Sequence, residues 1–255
     1  MIAAMLAQPE QWLLQLIFAS LRTGAALALL PGVGAMLLPV QVRTGLSLAV
    51  GVLVMSLTPI ATPPDLLAVA GLLAIAGEIT VGAAAGVVVL VLFAAANVAG
   101  ELMSQAMGLG FATMLDPGGT TSPIVASFLG LMMWLVFVGL DGPPRLIGLI
   151  VESYRLVPPG SDPLQHAADV ARLGGLALSA GLTIALPVSV VLALVNLLLA
   201  VVARSAPQLN LFSIGFATLL LAGLLTLPVA LSTIVGAMAR VTERAFDALA
   251  LVIGG

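Results

Sequence analysis

Six stretches of this 255-residue chain run for 20 residues or more without a single charge: 23–42, 44–64, 79–100, 117–140, 173–203 and 205–239. About 20 apolar residues suffice for a helix to cross the hydrocarbon core. That pattern constrains the fold more than anything else. The whole chain carries 8 Arg, no Lys and 11 acids, and 61% of it is apolar, with a mean hydropathy of +1.25. Soluble domains are about 25% charged, so a water-facing surface cannot be tiled from this composition. An ordinary soluble enzyme and a disordered segment are excluded. Nucleic-acid binding by charge is excluded too, because a net charge of -3 without a basic cluster offers phosphates no grip. The absence of Cys removes disulfides, thiolate chemistry and Cys metal ligands, and the single His166 cannot build a His-based metal site. No cofactor is expected. The fold class is all-α and membrane-associated.

Cutting where Pro, Gly and charge cluster gives candidate spans at about 11–31, 44–62, 66–98, 123–140, 173–203 and 211–239. Pro31-Gly32-Val33-Gly34, Thr62-Pro63-Pro64-Asp65 and Asp141-Gly142-Pro143-Pro144 mark breaks. The longest polar connection is 141–172, which can itself be partly helical. The first charge is Glu10, so a basic signal-peptide start is missing and the first helix is expected to stay as an anchor. With six spans both ends share one side, and the arginine distribution favours the cytoplasm.

The last two stretches are too long for upright spans. A straight helix over 173–203 would be roughly 45 Å long, against a hydrocarbon core about 30 Å thick. It would need a tilt near ~48°, beyond the usual range. Pro187 and Pro228 each sit about 20 residues from the polar turn at 206–209, and a proline removes a donor and crowds the preceding turn. The segment 173–239 therefore reads as a long helical hairpin kinked in both arms; two ordinary spans with overhanging ends are the plainer alternative.

Three charges interrupt apolar helix: Arg22, Glu78 and Glu101. At bilayer depth each costs about 2.5–3.5 kcal/mol on insertion scales. They either line an ion path or are neutralised between helices, for instance as an Arg22–Glu78 pair. Neither Glu has another acid at i+3 or i+4, so no carboxylate dyad is visible for acid–base catalysis. Gly82 to Gly86, Ala177 to Gly181 and Ser232 to Gly236 are small-residue pairs that let helix backbones approach closely. Trp12 and Trp134 suit interfacial anchoring or packing.

Segment 103–122 is the most unusual. Gly108 and Gly110 loosen a helix, and Asp116-Pro117-Gly118-Gly119 is strong turn chemistry. Between them lie Met107, Phe111 and Met114, bulky and apolar. Irregular backbone at membrane depth persists only inside protein or along a cavity, and thioethers adapt to irregular contacts. The segment suits either a deformable plug or a core-packed loop without a gating role.

Three stretches carry a family likeness: Gly100-Glu101 through Gln105-Ala106-Met107-Gly108-Leu109-Gly110-Phe111-Ala112 with Asp116-Pro117; Leu140-Asp141-Gly142; and Ala203-Arg204-Ser205-Ala206-Pro207-Gln208-Leu209-Asn210-Leu211-Phe212-Ser213-Ile214-Gly215-Phe216. In these the chain resembles the FliR family of the flagellar type III export apparatus, which is similar to the SctT family of injectisomes. The third stretch looks more flagellar. Two positions depart from the family pattern: Pro143 stands where His is frequent, and Ala217 where Pro is frequent. The resemblance implies a non-enzymatic subunit of a closed helical hetero-oligomeric assembly, the export gate, in the bacterial inner membrane at the flagellar basal body. FliP and FliQ homologues would share the complex, with FlhB and FlhA nearby and unfolded proteins as cargo. Residues 1–172 would be FliP-like and 173–255 FliQ-like. The plug loop would hold Met107, Gly108, Gly110, Phe111, Met114, Asp116, Pro117, Gly118 and Gly119, and the hairpin turn Arg204, Ala206, Pro207, Gln208, Leu209 and Asn210. An injectisome subunit is the nearest alternative. The alternative of another class is a stand-alone six-helix transporter or channel using Glu78 and Glu101 as coupling acids.

Overall fold

The computed structural model describes residues 8–30, 39–60, 68–109, 124–159, 167–205 and 211–254. Among these, seven α-helices and no strands occur: α1 Pro9–Ala28, α2 Val40–Leu57, α3 Val69–Ala106, α4 Ile124–Gly139, α5 Gly142–Leu156, α6 Ala167–Ser205 and α7 Leu211–Gly254. The all-α, membrane-type expectation holds.

The boundaries differ from the sequence expectation where charge served as punctuation. α3 runs to Ala106 rather than 98, and α7 continues through Arg240, Glu243, Arg244 and Asp247 to Gly254. Charged residues interrupt an apolar run, yet Arg and Glu are good helix formers, so the backbone does not stop at them. The polar connection contains a whole helix, α5. Asp141 adopts the left-handed conformation (φ 55), which Asp tolerates better than most residues. Gly142-Pro143-Pro144 then starts the next helix, and proline is well suited to a first turn, where the missing N–H has no helical partner. The departure from the family's His at position 143 is therefore compatible with the helix that begins there. Pro187 and Pro228 lie inside helices that continue past them.

Four described helices are long and apolar enough to cross a membrane, five if α4 and α5 form one broken span. Six were expected. α1 fails because its 20 residues include Glu10, Gln11, Gln15, Arg22 and Thr23. Four spans, like six, put both ends on one side, whereas five put them on opposite sides.

The described helices sort into two compact units: residues 1–91, 138–175 and 243–255, and residues 92–137 and 176–242. The units interleave along the chain, and position 172/173 falls inside α6.

In the first unit, small residues set the helix spacing. Gly51 of α2 lies against Leu16 and Ser20 of α1, and Gly24 of α1 against Ser47 of α2, so these two helices are antiparallel. Gly82 of α3 lies on the backbone of Arg22, and Gly86 on that of Ala26, so α1 and α3 run parallel at this contact. Phe18, Ala19, Ala26, Val54, Val88 and Ile150 are buried in this unit. Arg145 of α5 makes a two-pronged pair with Glu243 of α7 (2.9 Å for each bond) and sits 4.4 Å above the Phe246 ring. Both partners are substantially exposed, so the ion pair itself contributes little stability.

In the second unit, Phe93 of α3 packs on Trp134 of α4 (ring centroids 4.9 Å apart), with Phe137 completing an edge-on cluster. Trp134 is thus a packing residue. Gly100 of α3 touches the backbone of Ala126, and Gly181 of α6 lies against Val98 and Ala95. Met133, Met238 and Thr242 are buried together, with the Thr242 hydroxyl 4.0 Å from the Met133 sulfur. Large apolar side chains such as Leu178, Leu194, Leu198, Leu221, Leu225 and Val229 remain exposed on α6 and α7. Apolar faces of this extent are covered by lipid or by other chains.

Candidate functional site

Two constellations carry polar or irregular chemistry. The first is a buried cluster in the first unit, centred on Arg22. Its guanidinium donates from Nε to Glu78 Oε2 (2.6 Å) and from Nη2 to Glu78 Oε1 (2.9 Å). Nη1 donates to Ser153 Oγ (3.0 Å), and Nη2 also to the Val157 carbonyl (2.7 Å). The guanidinium carbon stands 4.1 Å over the Tyr154 ring, whose hydroxyl donates to the Ala19 carbonyl (2.7 Å). Arg22 and Glu78 are each 1% exposed. Arginine suits this place because its planar fork can bond a carboxylate with two prongs while its face stacks on a ring.

The local sequence explains the assembly. Glu78, Gly82 and Gly86 fall four residues apart on one face of α3. Gly82 lets the α1 backbone come close, and that approach brings Arg22 within reach of Glu78. Leu146, Ile150, Ser153 and Tyr154 form the buried face of α5. The pairing of Arg22 with Glu78 was one of two open readings of these charges. The partners Ser153, Tyr154 and Val157 were missed, although the 146, 150, 153, 154, 157 spacing is helical and was the available signal. Glu101 is exposed on α3 and takes no part in this cluster.

The second constellation is the end of α3. Met103 and Met107 are buried. The Gly108 amide donates to the Gln105 carbonyl (3.0 Å) and the Leu109 amide to the Ser104 carbonyl (2.9 Å), with Gly108 at φ 80. This is a Schellman cap: a left-handed residue closes the last turn and uses up two orphan carbonyls. Glycine fits because it alone takes that φ without a steric penalty. The helix is therefore terminated by its own sequence at the point where the irregular segment begins. Gly110, Phe111, Met114, Asp116, Pro117, Gly118 and Gly119 lie outside the described residues, as does His166.

Of the hairpin-turn residues, Arg204 is exposed in the last turn of α6, while Ala206, Pro207, Gln208, Leu209 and Asn210 lie outside the described residues. Pro187 is half-buried and Pro228 exposed. Gly82 and Gly181 do sit at close helix contacts, but Gly236 faces only Arg240 of its own helix. Among the described residues, no group of three or more His, Cys, Asp or Glu could hold a metal ion.

Residues 13–245 match the family described as "Bacterial export proteins, family 1". The chain is 34% identical to the flagellar biosynthetic protein FliR of Pectobacterium carotovorum subsp. carotovorum, over 95% of this chain and 94% of that one. It is 32% identical to FliR of Escherichia coli K12, over 96% and 95% of the two chains. It is also 32% identical to FliR of Aquifex aeolicus VF5, over 88% of each. With a match that runs nearly end to end, and with long apolar helices throughout, the chain belongs to the bacterial export proteins of family 1, the family of FliR.

Proposed function

We propose that this chain is a subunit of the flagellar type III export gate, and that its segment 103–122 closes the channel when no cargo is passing. Membership of the FliR family makes it a component of the flagellar export apparatus, and several of its helices are built for a membrane. The finer reading adds FliP and FliQ homologues in one complex, FlhB and FlhA nearby, unfolded flagellar proteins as cargo and the inner membrane at the basal body as the place. The division into a FliP-like part, 1–172, and a FliQ-like hairpin, 173–255, belongs to the same proposal.

The observation that carries the gate reading is the Schellman cap at Gly108. α3 ends at a fixed stop one residue after the buried Met107 and just ahead of Phe111 and Met114 in the sequence. Bulky apolar side chains at a narrow constriction expel water and so block ions. A passing chain displaces them, and the soft methionines conform to it. No bond is made or broken, and the energy comes from outside this chain, which has no G-x-x-x-x-G-K-[ST] phosphate loop. The buried Arg22–Glu78 pair weighs against the transporter alternative, because it accounts for both charges as a contact between helices.

Co-purification tests the partnership. Tagged and extracted in mild detergent, the chain is expected to bring FliP and FliQ homologues with it in fixed ratio. A monodisperse, stable chain that emerges without them would refute the subunit reading.

A further inference from the structure

If residues 103–122 form the gate, whatever holds the end of α3 sets where the gate starts. Met107 is the first residue past the helix and is nevertheless 4% exposed. Its cover comes from α7. A β-carbon built on Gly223 would lie 2.5 Å from both Cγ and Cε of Met107 and 2.8 Å from its sulfur. Non-bonded carbons prefer about 3.5–4.0 Å, so Met107 occupies the space that any side chain at 223 would need. The next residue, Gly108, faces the same helix: a β-carbon there would lie 3.2 Å from Cδ2 of Phe216. Phe216 and Gly223 are seven residues apart, about two turns, and so lie on one face of α7. One helix face thus offers a notch to Met107 and a ring to Gly108, consecutive residues of the Schellman cap.

We infer that Gly223 and Phe216 are positioning residues of the gate: the notch seats Met107, the ring backs Gly108, and together they fix the point at which the closing segment leaves α3. This rests on the gate reading above. Gly223 stands in an otherwise apolar helical run where alanine would be the better helix former by about 1 kcal/mol, and the seat for Met107 gives a reason for its presence. All three atoms in the way belong to the Met107 side chain and none to backbone. Because Cγ is among them, the side chain must turn out of the notch about its first torsion rather than merely bend its tip. Gly223→Ala is therefore expected to evict Met107 while leaving the helices assembled.

The test uses the assembled export-gate complex in membranes, with idle ion conductance as the readout and co-purified complex as the control for assembly. Gly223→Ala should raise idle conductance several-fold at unchanged complex yield. Adding Met107→Ala should bring it back to the level of Met107→Ala alone, since the colliding atoms are gone. Phe216→Ala removes the ring without adding bulk and should also leak; it serves if the Gly223 variant fails to assemble. Proximity is tested separately. Met107 Cγ is one bond from its Cβ, which places the two β-carbons no more than about 4 Å apart, within disulfide range. In this Cys-free chain, Met107→Cys with Gly223→Cys should cross-link under mild oxidation in the complex. No cross-link, or a tight Gly223→Ala or Phe216→Ala complex at full yield while deletion of 108–119 leaks, overturns the inference and leaves the gate reading standing. A tight deletion complex overturns both.

Discussion

Replacing Arg22 with alanine is expected to remove most of the folded chain from the membrane. The guanidinium makes four hydrogen bonds in a site where it and Glu78 are each 1% exposed. Deleting one partner of a buried ion pair strands the other charge, which costs about 3–5 kcal/mol. A whole domain is stable by only about 5–15 kcal/mol. Glu78→Ala should be as damaging, since it strands the arginine. Arg22→Lys should fail nearly as badly, because an ammonium cannot make the two-pronged bond and stack on Tyr154 as well. The informative variant is the pair Arg22→Met with Glu78→Met, which removes both charges and keeps the volume. Apolar replacement of a complete buried pair is often neutral, so this double variant should accumulate far better than either alanine variant. Membrane-fraction yield and thermal stability in detergent read the result. Single variants that accumulate normally would show that the cluster contributes nothing to folding. A double variant as poor as the singles would show that Ser153, Val157 and Tyr154 need the guanidinium for themselves.

The second large effect is expected at Gly82. A β-carbon there would overlap the carbonyl oxygen, carbonyl carbon and α-carbon of Arg22. These are backbone atoms of a helix, so no side-chain rotation relieves the clash, and α1 must move away from α3. Overpacking alone costs about 1–3 kcal/mol. Here the displacement would also draw Arg22 off Glu78, so the two penalties are coupled and should exceed their separate values. Gly82→Ala should lower the yield of folded chain several-fold, and Gly82→Leu should abolish it. Gly45, also within a helix, has open space around its α-carbon in this chain, so Gly45→Ala should leave the yield unchanged or slightly higher, since alanine is the better helix former. Equal yields for the Gly82 and Gly45 variants would mean that α1 and α3 are not in backbone contact.

These two positions also show what the sequence disclosed. The charge-free stretches announced an all-α membrane chain, because apolar runs of that length have few other solutions. The Gly82-to-Gly86 spacing marked a close helix approach, and an Arg22–Glu78 pair was a natural reading of two charges stranded in apolar helix. The boundaries were less legible. The spans were cut at 98 and 239, ahead of Glu101 and Arg240, yet α3 and α7 run on past both, because a helix terminates by capping and backbone conformation rather than by polarity. Asp141-Gly142-Pro143-Pro144 looked like the exit to a loop. It is a joint between α4 and α5, since the same residues that stop one helix can start the next. The seat for Met107 was invisible, because Gly223 lies more than a hundred residues away and nothing local distinguishes it from the other glycines of the chain. Segment 103–122, proposed above as the gate, was marked by its methionines and turn residues, but the stop at Gly108, with its positive φ and the paired amides of Gly108 and Leu109, came only from the structure.

The central claim is that this chain closes a protein-export channel with the segment that leaves α3 at Gly108. The most direct measurement is the ion conductance of idle membranes that hold the assembled complex, with and without residues 108–119 of this chain. The account requires the intact complex to be tight and the deleted one, at equal complex yield, to leak. Equal and low conductance from both would contradict it.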